Sequence, residues 1–249
     1  MRMDRKWSKE KIDKITNDFY SRFCDTDIAA LEPGVHLICS RKREQEVRGF
    51  GCRYSIYALL LPEKCIVAYA PKYREFFSHK KWKNSQELIE DMESEFRLSK
   101  NQLMIFEEER IQDFAHARIL TEEDYPLYEE FFVSTNPGCD PSDWLSDYFM
   151  EKARKEFFTG YIKDGKLICV CDAPDMPHGE GAIQHTGICT LESERRKGYA
   201  AYTAGLATHH LLELGICPQW ECPTWNQASV ALAKAIGHKE YGIAYILEE

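Results

Sequence analysis

Residues 190–201 read Thr-Leu-Glu-Ser-Glu-Arg-Arg-Lys-Gly-Tyr-Ala-Ala. An apolar run, 183–190, precedes this stretch, and a helical pattern over 199–214 follows it. The order is therefore strand, basic turn, helix. Such a turn aims several backbone N–H groups at one point, at the positive end of the helix dipole. A phosphate or pyrophosphate is the ligand that suits them. Gly198 lets the backbone approach closely because it has no Cβ. Ala200 and Ala201 keep the next turn thin, and Arg195, Arg196 and Lys197 add positive charge. No Gly-Lys-Ser/Thr closes the turn and no G-x-G-x-x-G is present, so neither a Walker A loop nor a dinucleotide fingerprint is read. A surface turn with three solvated cations would have the same composition.

Charge distribution narrows the partner. The chain has 249 residues and a net charge of −9. Residues 1–115 carry 21 Lys/Arg against 20 Asp/Glu, and residues 116–249 carry 11 against 21. A nucleic-acid surface needs a broad basic face, so none is expected. A local anion pocket in an acidic surround fits better, and that surround would attract a cationic amine. The charged start, 1–7, lacks an apolar leader pattern, and no apolar run approaches the roughly 20 residues that span a bilayer. A cytoplasmic protein with no membrane partner is the expectation. Cys39, Cys52, Cys65, Cys169 and Cys189 lie in apolar runs as small hydrophobes, and no pair has metal-site spacing, so no metal is expected.

The elements that must position this turn can be read in order. Ser8 caps a helix to about Phe23, with Ile12, Ile15, Phe19 and Phe23 on one face. Strands follow at 34–39, 50–61 and 65–70, the last two as a hairpin, with 41–46 as a charged, solvated segment between them. Asn84 and Glu87 open a helix to about Arg97, and 103–107 is a strand. A boundary is expected near 107–116, giving an accessory α+β domain over 1–112 and a second domain over 113–249. Beyond it come a short strand, helices over 121–133 and 144–155, a hairpin over 157–171, and a loop over 172–181. The strand, basic turn and long helix come next, then a strand at 219–222, a helix at 226–236 and a last strand at 241–247.

From residue 117 on, this β-α-(α)-β-β-β-α-β-α-β order resembles the GNAT acyltransferase superfamily. Arg195-x-x-Gly198-x-Ala200 resembles that family's [QR]-x-x-G-x-[GA] coenzyme A loop. Asn226-x-x-Ser229-x-x-Leu232, ending in Ile236-Gly237-His238, resembles its following helix. The likeness covers about 130 residues and leaves 1–115 without a role. It implies an α/β (α+β) fold with a GNAT-like mixed sheet flanked by helices, preceded by a smaller mixed α/β domain.

The resemblance also implies chemistry: N-acetyl transfer from acetyl-CoA, the cosubstrate, to a small-molecule or peptide amine. The strand at 188–190 would splay from that at 220–222. Backbone groups of Ile188 and Thr190 would hold the acetyl-pantetheine arm, and Arg195, Arg196, Lys197, Gly198, Tyr199, Ala200 and Ala201 the pyrophosphate. Asn226 would either contact pantetheine or only cap its helix. A protonated amine has no lone pair, so a base is needed. Glu221 is the first candidate, with His185 and Glu180 at another family base position. Many members carry a tyrosine seven residues after the Asn as general acid, where this chain has Ala233. Tyr241, Tyr245 or Cys222 would substitute, or the thiolate leaves unassisted. A non-catalytic acyl-CoA-binding sensor is the alternative. The acceptor and the oligomeric state are not legible.

Overall fold

A computed structural model describes residues 7–48 and 50–249; the charged start, 1–6, lies outside the described residues. Helix α1, Lys9–Cys24, begins where expected, with the Ser8 hydroxyl accepting from Lys11 N at 3.2 Å. Its buried face holds Ile12, Thr16, Phe19, Tyr20 and Phe23. Strands β1 (Gly34–Cys39), β2 (Tyr54–Leu60) and β3 (Lys64–Tyr69) follow, β2 and β3 pairing as the expected antiparallel hairpin. Helices α2 (Arg74–His79) and α3 (Ser85–Glu95, capped by Asn84) lead to β4 (Ser99–Phe106).

After the extended stretch 107–116 come β5 (Ala117–Ile119), α4 (Tyr125–Thr135) and α5 (Leu145–Arg154). The chain continues through β6 (Thr159–Lys163), β7 (Lys166–Asp172), β8 (Ile183–His185) and β9 (Gly187–Thr190). Helix α6 (Tyr199–Glu213), β10 (Cys217–Pro223), α7 (Gln227–Ile236) and β11 (His238–Glu248) complete it.

The fold is the expected mixed α/β arrangement, with an N-terminal α/β domain ahead of a helix-flanked mixed sheet. The seven-stranded sheet, however, draws strands from both sides of the expected boundary at 112/113. One has the order β1-β3-β2-β11-β4-β10-β8, so the last strand of the chain lies between β2 and β4. The other has the order β5-β6-β7-β9. Helix α1 packs Phe19, Tyr20 and Phe23 into one core with Ile183, Cys217 and Ile246. The two portions thus share hydrogen bonds and apolar burial across this sheet. Periodicity marks each strand but carries no signal for pairing between strands so distant in the chain.

The opposite face is covered by α6 and α7, which bury Trp220, Ala204, Val230 and Ile236 together. Helices α4 and α5 pack Phe131 and Phe149, together with Phe158 just before β6, against Leu167 and Val170 of β7. The segment at 41–46 departs from expectation. Arg41–Glu44 form a 3-10 turn capped by Ser40, and Arg43 is only 5% exposed. Charge alone predicts solvation, but the turn points one of its four side chains into the core.

Candidate active site

The apolar run expected as one strand is divided at Thr186. Its first half, β8, pairs in parallel with β10, Ile183 opposite Cys217 and His185 opposite Gln219. Its second half, β9, pairs only with β7. The last bond holding the run to β10 is Thr186 N donating to Gln219 O at 3.3 Å. Beyond that point β10 stays with β4, Trp220 opposite Met104 and Glu221 opposite Leu103. The two strands part, as the splay at 188–190 and 220–222 requires.

Alternation along the strands states what faces the gap. Leu191 N donates to Ile168 O on the β7 side at 3.0 Å, so Cys189 faces that side too. Ile188 and Thr190 therefore turn their N–H groups the other way, the way Thr186 turns its own toward β10. On the far side Thr224 N donates to Lys100 O, which leaves the Glu221 N–H turned toward the gap. Two strand edges thus present unpaired main-chain donors to one opening, a geometry suited to an extended amide-bearing chain and to a polarised carbonyl.

At one end of the gap lies the basic turn. Arg196 has φ +61° and Gly198 φ +90°, and Gly198 is the N-cap of α6 with no side-chain cap. Residues 195–198 are exposed. The left-handed conformation explains the glycine, since a Cβ there would meet nothing nearer than 3.9 Å. Arg195 Nε donates to Thr190 O at 3.2 Å, tying the turn to the gap's edge. Lys197 pairs with Glu194 at 3.1 Å. Tyr199, Ala200 and Ala201 form the first turn of α6.

Glu221 and His185 come together on the face that α1 covers. His185 Nδ1 is 3.6 Å from Glu221 Oε2, and Asn101 Nδ2 donates to Glu221 Oε1 at 2.8 Å. They meet because His185 stands opposite Gln219 in register, and Glu221 is two residues on, on the same face. Phe19 of α1 lies against the His185 ring, 5.5 Å between centroids. Burial pushes the His185 imidazole down, against the upward pull of Glu221, so the neutral ring is favoured. Its Nε2 has no hydrogen-bond partner among the described residues. Burial, with the Glu221 charge adding to it, pushes the hydroxyls of Tyr20, Tyr54 and Tyr57 up. The field of Glu221 thus reaches three tyrosines of the N-terminal portion.

Other candidates are placed elsewhere. Glu180 lines a separate cavity of about 340 Å³ and pairs with Arg48 at 3.6 Å. Tyr241 is on β11, two strands inward from β10; it stacks on Tyr20 at 5.2 Å and donates to Asn17 Oδ1 at 3.0 Å. Its hydroxyl proton is thereby engaged by Asn17 of α1. Tyr245 belongs to the core under α2 and α3, and Cys222 to the core under α6 and α7. Ala233 is fully buried there. Asn226 accepts from Ser229 N at 3.2 Å, so its capping role is met.

Asn101 and the three tyrosines carry no motif. A polar residue alternating into a strand of 99–106 was the one available signal for Asn101. A cavity of about 260 Å³ also adjoins β9, lined by Tyr128, Phe131 and Thr135 of α4 and by Asp172 and Ile188. Asp172 was not anticipated either; desolvation raises its carboxyl, while the Gly187 N–H and the Lys152 charge lower it.

Residues 147–245 match the family model for GNAT acetyltransferase. The C-terminal part of the chain is a GNAT-family domain. An uncharacterized N-acetyltransferase of Bacillus subtilis (strain 168), YdfB, is 31% identical over 96 residues, 37% of this chain and 36% of that protein. The chain therefore aligns with about a third of this curated relative. A GNAT-family acetyltransferase from Colwellia psychrerythraea superposes with a TM-score of 0.51 at 16% identity, over 60% of this chain and 56% of that one. A putative GNAT acetyltransferase from Novosphingobium aromaticivorans DSM 12444 does so with a TM-score of 0.48 at 18% identity, over 61% and 64%. No helix among the described residues is long and apolar enough to cross a membrane.

Proposed function

We propose that the protein transfers an acetyl group from acetyl-CoA to an amine. The observation that carries this reading is the parting of β9 from β10 at Thr186, with the basic turn and the uncapped α6 N-terminus at one end and Glu221 beside it. The amides from Arg195 to Ala201 would take the diphosphate. The N–H groups of Ile188 and Thr190 would take the pantetheine amide and the thioester oxygen, where negative charge develops. Glu221, held by Asn101, would accept a proton from the incoming ammonium, and His185 would serve as a neutral relay beside it. The amine nitrogen then bonds to the acetyl carbon, the carbon–sulfur bond breaks, the thiolate leaves without a tyrosine acid, and it would take up the second proton that the nitrogen sheds as the amide forms. Thiol ordinarily titrates near 8.5, so unassisted departure at neutral pH costs little.

A second reading, an acyl-CoA-binding sensor without turnover, is favoured by one observation: Ala233 stands where the family's tyrosine is expected, and no tyrosine named above replaces it at the gap. Thiol release from acetyl-CoA over a broad panel of amines separates the two. Amine-dependent release supports the transferase; tight acetyl-CoA binding with no release for any amine supports the sensor.

A further inference from the structure

Arg43 is a buried cation without a carboxylate of its own. It is 5% exposed, and its Nε and Nη1 have no hydrogen-bond partner among the described residues. The nearest acid by field, Asp25, is already engaged by the Ser40 hydroxyl and by Lys42. Leaving two nitrogens of a guanidinium unpaired inside a fold is costly in general. Replacement by an apolar side chain would be the simpler structural solution.

The 3-10 turn that carries Arg43 packs against β2, the strand of Tyr54 and Tyr57, and the rings there belong to an aromatic array that ends near Glu221. Phe23 stacks on Tyr57 at 4.9 Å and on Tyr54 at 6.3 Å, and Tyr54 stacks on Tyr57 at 6.3 Å. His178 meets the edge of Phe23 at 4.9 Å. At the other end of this array Phe19 lies against His185, which adjoins Glu221. The Tyr20 hydroxyl, also within this array, is buried and has no partner either.

Resting on the acetyltransferase reading, we propose that the acceptor is an amine that also carries an anionic group, set apart from the nitrogen by an apolar spacer. Glu221 takes the ammonium end beside the thioester. Arg43 takes the carboxylate or phosphate end, and the rings of Phe23, Tyr54 and Tyr57 line the spacer. Guanidinium is suited to the task, because its planar fork matches a carboxylate in two parallel bonds. Tyr54 lies within the field of both charges: beyond burial, Glu221 pushes its hydroxyl up and Arg43 pulls it down. The same guanidinium field reaches His178 and, with burial, holds its ring below the ordinary value. The acceptor pocket would thus be built by the N-terminal portion, which gives residues 1–112 a role in choosing the substrate.

Calorimetric titration of the CoA-loaded protein with 6-aminohexanoate and with hexylamine tests this. The pair differs only in the anionic group. The wild type is expected to prefer 6-aminohexanoate by about tenfold or more, the worth of a charged hydrogen-bonded pair. Arg43→Gln should erase the preference and leave CoA affinity unchanged. Arg43→Lys, which keeps a cation in the core, should reduce it, and covers the case in which the glutamine variant does not fold. Equal affinity for the two ligands in the wild type, no binding of either, or a preference that survives Arg43→Gln would overturn the proposal. Thiol release tests acetyl transfer separately: an enzyme that acetylates both kinds of amine alike keeps its function and loses this specificity.

Discussion

Asn101 of β4 donates its side-chain amide to the Glu221 carboxylate of β10 at 2.8 Å, so an N-terminal strand orients the acid nearest the gap. The two residues are diagonal neighbours on one face of an antiparallel pair, since Glu221 is opposite Leu103. Removing the carboxylate should remove the base. Glu221→Gln is expected to lower kcat by about 10²–10⁴, the usual range for a general base, with partial recovery at high pH as free amine becomes available. Asn101→Leu should cost less, about tenfold, because the carboxylate stays but is no longer aimed. Steady-state kinetics with a turned-over amine decides; an unchanged kcat in Glu221→Gln removes it from the mechanism.

Stability should depend on pH through His238. This histidine begins β11, is buried, and lies 6.1 Å from the Phe106 ring and 6.2 Å from Trp220. Neither ring nitrogen has a hydrogen-bond partner among the described residues. Burial holds it at about 4, from an ordinary value of 6.5. The unfolded chain therefore binds a proton that the folded one refuses between those values. Its contribution is complete above pH 6.5 and is lost as pH falls from there to about 4, on the order of 3 kcal/mol in all. His185 shifts in the same direction and adds to the effect. Urea midpoints at pH 7.5 and pH 5 should differ more for the wild type than for His238→Phe. Equal differences would show that His238 does not titrate as described.

The shared sheet makes a prediction about truncation. With residues 1–112 removed, β11 loses β2 and β4 on its two sides, and β10 loses β4. The fragment 113–249 would expose those edges and the face that α1 covers, an invitation to aggregate. It should lack native near-UV circular dichroism or be insoluble, although the family match lies within it. A monomeric fragment with a cooperative melt would contradict the continuity of the core.

Much of the framework around this candidate site was legible in the sequence, and the limits have physical causes. The turn at 195–201 was legible as a turn because Gly198 and the helical pattern that starts at Tyr199 are local signals. Ser8, Asn84 and Asn226 were legible as caps because capping is local, and each accepts the expected backbone N–H. Thr186, where one apolar run divides between two sheets, left no mark, since alternation continues through it. Arg43 was hidden for a related reason. A tripeptide of Arg-Lys-Arg reads as solvated, and only the 3-10 turn decides which of the three side chains turns inward. Asn101 meets Glu221 across more than 100 residues of chain, a distance at which composition and period say nothing.

The central claim is that a diphosphate sits on the backbone at the start of α6. Calorimetric titration of acetyl-CoA into the wild type, Gly198→Ala and Gly198→Glu tests it most directly. Alanine adds only the strain of a left-handed φ, about 1–2 kcal/mol, whereas glutamate adds a carboxylate where phosphate belongs. With all three proteins folded, the glutamate variant should bind acetyl-CoA about a hundredfold more weakly than wild type or not at all, and the alanine variant should fall between. Wild-type affinity in Gly198→Glu would contradict the account.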